Sequence, residues 1–167
     1  MEPVTEAEVV AAQKAWAEGI VAIGAAIPKG REVVRATAEK FIQDCYAFGA
    51  GQVLFKPTKA RLKQFRCETR AALSYFVGGD AEFGEDAGFA LRPWKKVRFE
   101  NVGIKAGRGI ALAMGDYFFT DEHGTEVMVE YSFGYHRCPD GKVRIVLHHS
   151  SLPYAPSQVA LADSSAA

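Results

Sequence analysis

Two adjacent histidines and two adjacent serines stand together near the end of a strand-like run, at residues 148–151. An imidazole has a reference pKa of about 6.5 and can exchange a proton near neutral pH, and a hydroxyl can both donate and accept a hydrogen bond. Side chains two apart on a strand share a face. Three of the four apolar residues of this run stand at odd positions, Val143, Ile145 and Leu147, and Val146 stands at an even one. His149 and Ser151 are therefore predicted to point inward.

His148 and Ser150 occupy the even positions and are predicted to lie on the more exposed face, although a bulge would reverse this alternation. Another interpretation of His149 and Ser151 remains open. A core histidine can simply be hydrogen-bonded, and a serine hydroxyl can satisfy a strand end.

Thr58 and Tyr75 are two further hydroxyl-bearing candidates. Thr58 follows Phe55-Lys56-Pro57, where a threonine commonly caps a helix or a turn. Tyr75 ends an apolar helix, where it is commonly a core aromatic whose hydroxyl reaches a partner. The residues alone leave these structural roles as open as functional ones.

The first half of the chain is predicted to be helical. Thr5 and Glu8 form a capping box, which predicts a helix that runs to about Gly24. Apolar spacing predicts further helices over residues 31–48 and 68–76, with a short extended piece at 53–55 between them.

The second half is predicted to be stranded. From Trp94 onward the apolar period changes to two, with runs near residues 95–105, 109–120, 125–137 and 142–152 separated by turn residues. Short connections predict an antiparallel meander, and the helices are the available cover for one face. The predicted class is α+β, with N-terminal helices packed on a strongly curved antiparallel sheet that forms a cone-shaped barrel with a largely apolar pocket.

Composition excludes several functions. The chain has 167 residues, 49% of them apolar, with 20 basic and 20 acidic residues, so nucleic acid is not an expected partner. No apolar run approaches the roughly 20 residues that cross a bilayer, so no membrane association is expected. Cys45, Cys67 and Cys138 are too scattered for a disulfide framework and are predicted to be free.

Cofactors are not expected either. Adjacent residues of a strand point to opposite faces, so His148 and His149 are poorly placed to bind one metal ion. No glycine-rich fingerprint follows a strand, which argues against a nucleotide cofactor.

The ends of the chain carry few signals. The first residues lack the pattern of a targeting peptide. Residues 157–167 are rich in alanine and serine, which predicts a flexible tail or linker after a single cone-fold domain at 1–156.

The segment Val-Leu-His-His-Ser-Ser-Leu-Pro at 146–153 resembles the signature of the iota-class carbonic anhydrases of algae, cyanobacteria and other bacteria. The resemblance extends over roughly residues 5–155, including Phe-Lys-Pro-Thr at 55–58 and Leu-Ser-Tyr-Phe at 73–76. Proteins of this family are similar in fold to the association domain of calcium/calmodulin-dependent kinase II and to the nuclear transport factor 2-like cone.

This resemblance implies reversible hydration of CO2 to bicarbonate and a proton, and it favours the members that work without a metal. It also implies a homodimer, located in the chloroplast if the source is an alga and in the cytoplasm or periplasm if it is a bacterium. By position, the hydroxyls of Thr58, Tyr75 and Ser151 would orient bicarbonate or the attacking water, and His149 would transfer the proton.

Two alternatives belong to other classes. A non-catalytic association module would use an exposed apolar sheet face, predicted around Tyr117, Phe119 or Tyr135. A cone-fold isomerase or dehydratase would need an inward carboxylate, for which Asp44 and Asp116 are the candidates.

Overall fold

The computed structural model describes residues 2–156, and the tail predicted at 157–167 lies outside them. As predicted, the first half of the chain is mainly helical and the second half is stranded, with one short strand between the second and third helices. The helices are α1 (Glu6–Ala25), α2 (Arg31–Cys45) and α3 (Thr69–Val77). The strands of the main sheet are β1 (Leu54–Lys56), which lies between α2 and α3, then β2 (Lys96–Lys105), β3 (Ile110–Thr120), β4 (Glu126–Arg137) and β5 (Val143–Ser151). A separate antiparallel pair joins Pro3–Val4 to Gly107–Arg108. No helix in this part of the chain combines the length and apolar character that crossing a membrane requires.

Helix α1 begins at the predicted capping box. The Thr5 hydroxyl accepts the Glu8 backbone N–H at 3.3 Å, and the Glu8 carboxylate accepts the Thr5 backbone N–H at 2.9 Å. Both bonds satisfy donors that a helix start otherwise leaves unpaired. The helix buries a stripe at helical spacing, formed by Val9, Trp16, Ile20 and Ile23.

Helix α2 ends at Cys45, earlier than the predicted end near residue 48. Tyr46 leaves the helix in an extended conformation and forms a parallel bridge with Ile145 of β5. This contact, made across a hundred residues of sequence, overrides the local helical pattern and sends the Tyr46 ring into the core, where it is 1% exposed.

The sheet has the order β1-β5-β4-β3-β2. Strands β2 to β5 form the predicted antiparallel meander, and β1 adds a parallel edge beside β5. The helices lie against one face, and α1 packs along β2. The α+β class is confirmed. The sheet does not close on itself, because β1 and β2 are free edges, and the cone is completed by the helices.

A bulge interrupts the pairing of β4 with β5. Gly134 pairs with Leu147, and the next pair along the ladder is Tyr135 with Ile145. Val146 is therefore an extra residue in β5. An extra residue of this kind inverts the side-chain alternation beyond it.

The bulge overturns the predicted orientation of the histidine and serine pairs. Ile145 faces the core as predicted, but beyond the bulge the core-facing side chains are His148 and Ser150, each 2% exposed. His149 is exposed and Ser151 is half-buried. The prediction that His149 and Ser151 point inward is therefore wrong, because it assumed unbroken alternation along the strand.

The three cysteines are free, as predicted, and Cys138 is buried.

Candidate active site

Three hydroxyls from three elements meet at one end of the core. The Thr58 hydroxyl donates to the Ser150 hydroxyl, with 3.0 Å between the oxygens. The Tyr75 phenol, carried by α3, lies close enough to the Lys59 backbone and the Thr58 hydroxyl for both to lower its pKa. We call Thr58, Tyr75 and Ser150 the hydroxyl cluster.

Parallel pairing of β1 with β5 places Thr58 in the cluster. Lys56 pairs with His149, so the chain that leaves β1 runs alongside the end of β5 and reaches Ser150 at Thr58. The Lys56 ammonium donates to the Ser150 backbone carbonyl at 3.2 Å, which holds the two strand ends together and places a positive charge close to the cluster.

A buried ion pair anchors the loop that carries Thr58. Arg66 is fully buried and donates two hydrogen bonds to the Asp86 carboxylate, at 2.6 and 2.9 Å. Its backbone N–H donates to the Phe55 carbonyl at 2.7 Å. Ser74, the neighbour of Tyr75 on α3, donates to the same Asp86 carboxylate at 2.6 Å. One carboxylate thus ties the loop of Thr58 to the helix of Tyr75.

The structure brings together two of the residues predicted from the sequence, Thr58 and Tyr75, and separates them from the other two. Ser151 donates to the Glu130 carboxylate at 3.1 Å on the outer face of the sheet. His149 lies on the same outer face, in a shallow cavity of about 300 Å³ that Ser151 also lines.

His148 occupies a cage of aromatic side chains under the cluster. Its imidazole stacks on the Phe55 ring with centroids 4.6 Å apart and meets the Phe133 ring edge-on at 4.3 Å. Its Nδ1 lies 2.9 Å from the Tyr46 hydroxyl, and its Nε2 lies 3.3 Å from the Tyr117 hydroxyl. Phe55 and Phe133 pair directly with His148 on the two neighbouring strands, so the sheet register itself builds this cage.

Burial keeps these groups in their neutral forms. It raises the pKa of Tyr75 above its ordinary value, although the Lys59 backbone and the Thr58 hydroxyl act in the opposite direction. It also raises the pKa of Tyr117, against the effect of the Ser150 hydroxyl. Burial lowers the pKa of the His148 imidazole well below its ordinary value, and the charge of His149 adds to this effect. At neutral pH the phenols therefore keep their protons and His148 is uncharged.

A cavity of about 450 Å³ adjoins Tyr75. Phe89 and Trp94 supply apolar walls, and the charged part of the lining is mixed, with Lys59 and Arg92 basic and Glu85 and Asp86 acidic. The apolar walls suit a small apolar substrate.

Metal ligands are not grouped in the described residues. Nowhere between residues 2 and 156 do three or more histidine, cysteine, aspartate or glutamate side chains form a set that could hold a metal ion. The alternative carboxylate candidates do not reach the cluster either, since Asp44 is exposed on α2 and Asp116 lines the outer-face cavity.

The sequence interpretation missed three residues of this region: His148, Ser150 and Tyr117. A glycine inside a strand often marks a bulge, and Gly134 was such a signal in the middle of β4. A Cβ atom there would lie 3.0 Å from the Leu147 Cβ, which shows how closely the two strands approach at the bulge. Tyr117 lies on the face predicted for an association surface but is 2% exposed, so that surface prediction is wrong.

Comparison with known proteins gives consistent results. The profile of the metal-independent carbonic anhydrase family matches residues 7–152. The metal-independent carbonic anhydrase of Nostoc sp. is 46% identical over 153 residues, which cover 90% of this chain and 75% of the relative. The crystal structure of a cyanobacterial iota-carbonic anhydrase complexed with bicarbonate has a TM-score of 0.88 at 44% identity, covering 92% of this chain and 95% of that one.

A more distant structure shares the fold alone. It is a calcium/calmodulin-dependent protein kinase II association domain from Xanthomonas campestris, with a TM-score of 0.53 at 24% identity and 91% of each chain covered.

Proposed function

Because this chain belongs to the metal-independent carbonic anhydrases, we propose that its hydroxyl cluster is the place where CO2 and water become bicarbonate and a proton. The family makes the chain a carbonic anhydrase of the iota class, in agreement with the prediction from its sequence. The observation that supports this location is the Thr58–Ser150 hydroxyl pair beside Tyr75, at the edge of an aromatic cage.

The cage and the cavity suit the substrate. CO2 is apolar, and the Phe89 and Trp94 rings that wall the cavity beside Tyr75 offer it apolar contacts. The cyanobacterial relative was solved with bicarbonate, and we infer that this chain binds the same ion at the hydroxyl cluster.

The cluster suits the charge that develops in the reaction. Attack of water on CO2 places negative charge on the oxygens that become bicarbonate, and hydrogen-bond donors already in place stabilise that charge. Tyr75 is held protonated by burial, and Ser150, which accepts a hydrogen bond from Thr58, adds a second donor. With the phenols and His148 in their neutral forms, the cluster acts by donating hydrogen bonds, and the proton that the attacking water loses passes to the solvent.

Stopped-flow CO2 hydration on chelator-treated protein tests this proposal, with the metal content measured on the same sample. We expect activity to survive chelation and to fall about 100-fold in Tyr75→Phe, because one donor to the developing charge is lost. Tyr154→Phe is the matched control, since Tyr154 is 86% exposed and lies outside the cluster.

Other outcomes would contradict the proposal in different ways. Activity that returns only with added metal would contradict a metal-independent reaction. Full activity in Tyr75→Phe would move the reaction away from the cluster. Absence of hydration in every condition would favour the association module.

We also propose that the chain forms a homodimer through the outer face of its sheet. This face exposes a row of apolar side chains although strands of a monomer usually present polar groups there. The exposed members on the central strands are Ile110, Leu112, Met114 and Met128.

Sedimentation velocity tests the dimer. Met114→Glu places a charge in the middle of this row and should convert a dimer to a monomer. Val33→Glu is the control, because Val33 is an exposed apolar residue of α2, away from the sheet. A monomeric protein without substitution would refute the proposal.

A further inference from the structure

Four buried side chains form a continuous line of hydrogen bonds from α1 to Tyr117, which lies beside the hydroxyl cluster. The Trp16 indole N–H donates to the Tyr46 oxygen at 2.9 Å. The same oxygen lies 2.9 Å from His148 Nδ1, and His148 Nε2 lies 3.3 Å from the Tyr117 oxygen. None of the four is more than 2% exposed. We call this set the relay: Trp16, Tyr46, His148 and Tyr117.

The direction of the relay follows from its first member. An indole N–H can only donate, so the Tyr46 oxygen must accept at that contact. The Tyr46 proton then needs an acceptor of its own, and among the described residues His148 Nδ1 is the partner within reach. If His148 instead donated from Nδ1, the Tyr46 proton would be buried without an acceptor, which is costly.

The same direction of hydrogen bonding decides which ring nitrogen of His148 carries the proton. Burial disfavours the charged form of His148, so the ring carries a single proton. With Nδ1 accepting from Tyr46, that proton stands on Nε2 and is donated to the Tyr117 oxygen. The Tyr117 oxygen is then engaged as an acceptor, and its own proton is free for the cluster.

The last step of the relay concerns Ser150. The Thr58 and Ser150 hydroxyls lie close enough to the Tyr117 phenol to lower its pKa, which burial raises. Ser150 already accepts from Thr58. A serine oxygen has two acceptor positions and one proton. If Tyr117 also donates to Ser150, both positions are filled and the serine proton is left to point at a bound oxygen.

We propose that the relay runs in one direction, from the donor-only indole to the hydroxyl cluster, and that it sets Ser150 as a hydrogen-bond donor to the substrate oxygen. The members of the relay are positioning residues, because they act through Ser150. This inference rests on the proposed function of the cluster, but its first test does not need activity.

The first test reads the imidazole proton directly. In protein labelled with [15N]histidine, the two ring nitrogens of His148 report which of them carries the proton. We expect a neutral ring with the proton on Nε2 near neutral pH. A proton on Nδ1, or a charged ring, would overturn the proposal whatever the enzyme does.

The second test breaks the relay and measures catalysis. Tyr46→Phe removes the donor to Nδ1, so the proton of His148 should redistribute between its two nitrogens. We expect kcat to fall roughly tenfold with a smaller change in KM, less than for direct loss of a donor to the developing charge. Trp16→Phe removes the N–H that sets the direction, together with part of a buried ring, and keeps the Tyr46 hydroxyl. It should shift the same signals if Tyr46→Phe fails to fold.

Tyr135→Phe is the matched control for the phenol. Tyr135 is as deeply buried as Tyr46, but its hydroxyl has no hydrogen-bond partner within residues 2–156. Tyr135→Phe should leave both the position of the His148 proton and kcat unchanged.

If Tyr46→Phe leaves the His148 proton or kcat unchanged, the relay does not position Ser150 and the proposal is wrong. If the unsubstituted protein fails to hydrate CO2, the proposed function is what fails, and the [15N]histidine result identifies that case separately.

Discussion

Substitution of Ser150 by alanine removes the central oxygen of the hydroxyl cluster and little else. Ser150 is 2% exposed and accepts a hydrogen bond from Thr58 at 3.0 Å. Loss of one donor to a developing oxyanion lowers kcat by about 100- to 1,000-fold, which corresponds to about 3–4 kcal/mol of transition-state stabilisation. Loss of the neutral hydrogen bond with Thr58 lowers the free energy of unfolding by about 1 kcal/mol, and a buried Tyr117 proton left without its proposed acceptor costs about 1–3 kcal/mol more. Thr58 is half-buried, so water can replace its lost partner. Activity measured well below the unfolding transition separates the loss of kcat from this loss of stability.

Ser151→Ala is a matched control for this experiment. It changes the same side chain at the next position of β5, where the hydroxyl donates to Glu130 on the outer face. Changes at such surface positions usually stay within about 0.5 kcal/mol of unfolding free energy. We expect kcat within about twofold of the unsubstituted protein, because this hydroxyl makes no contact with the cluster. Stopped-flow CO2 hydration and urea denaturation on the same preparations measure both quantities.

The reverse result would refute the reasoning. If Ser151→Ala lost activity while Ser150→Ala kept it, the side chain at the reacting site would be the one predicted by unbroken alternation. The bulge at Val146 would then be absent from the active protein.

Three further predictions concern stability, each measured as the free energy of unfolding in urea. Tyr135→Phe should raise the free energy of unfolding by up to about 1 kcal/mol, because the substitution removes a buried hydroxyl that has no partner in the described chain. A fall in the free energy of unfolding by more than about 1 kcal/mol would contradict this prediction. Arg66→Met should lower it by about 3–5 kcal/mol, since Asp86 would stay buried without its cation; a neutral effect would mean that the pair is dispensable. Below about pH 6.5 the free energy of unfolding should fall by up to about 1.4 kcal/mol per pH unit, because His148 takes up a proton only on unfolding. His148→Gln should lack this pH dependence, and an identical slope in the variant would exclude a contribution from His148.

Much of the fold was predictable because its signals are local. The capping box located the start of α1, and turn residues located the four strands of the meander to within a few residues. The end of α2 was not predictable in this way, because Tyr46 leaves the helix to bridge Ile145, a contact that the local pattern does not encode. The parallel pairing of β1 depends on three residues and a partner about ninety positions away.

The site was predictable in part for the same reason. The family resemblance indicates Thr58 and Tyr75, and the structure places them together. The Asp86 carboxylate holds their two segments through Arg66 and Ser74, and it lies in a loop whose sequence carries no motif. Tyr117 was missed because its position on a β-strand was considered only as an outward-facing surface, whereas it is buried beside His148.

The doubled motif itself explains why the activity was easier to predict than the residues. His-His-Ser-Ser on a strand presents one histidine and one serine to each face, whichever alternation applies. The motif therefore indicates an inward histidine and an inward serine without stating which ones. A single extra residue at Val146 exchanges His149 for His148 and Ser151 for Ser150, and it leaves the chemical types at the site unchanged. A family resemblance that rests on residue types survives such a bulge, but an assignment that rests on counting along a strand does not, so strand pairing must be known before roles are given to adjacent identical residues.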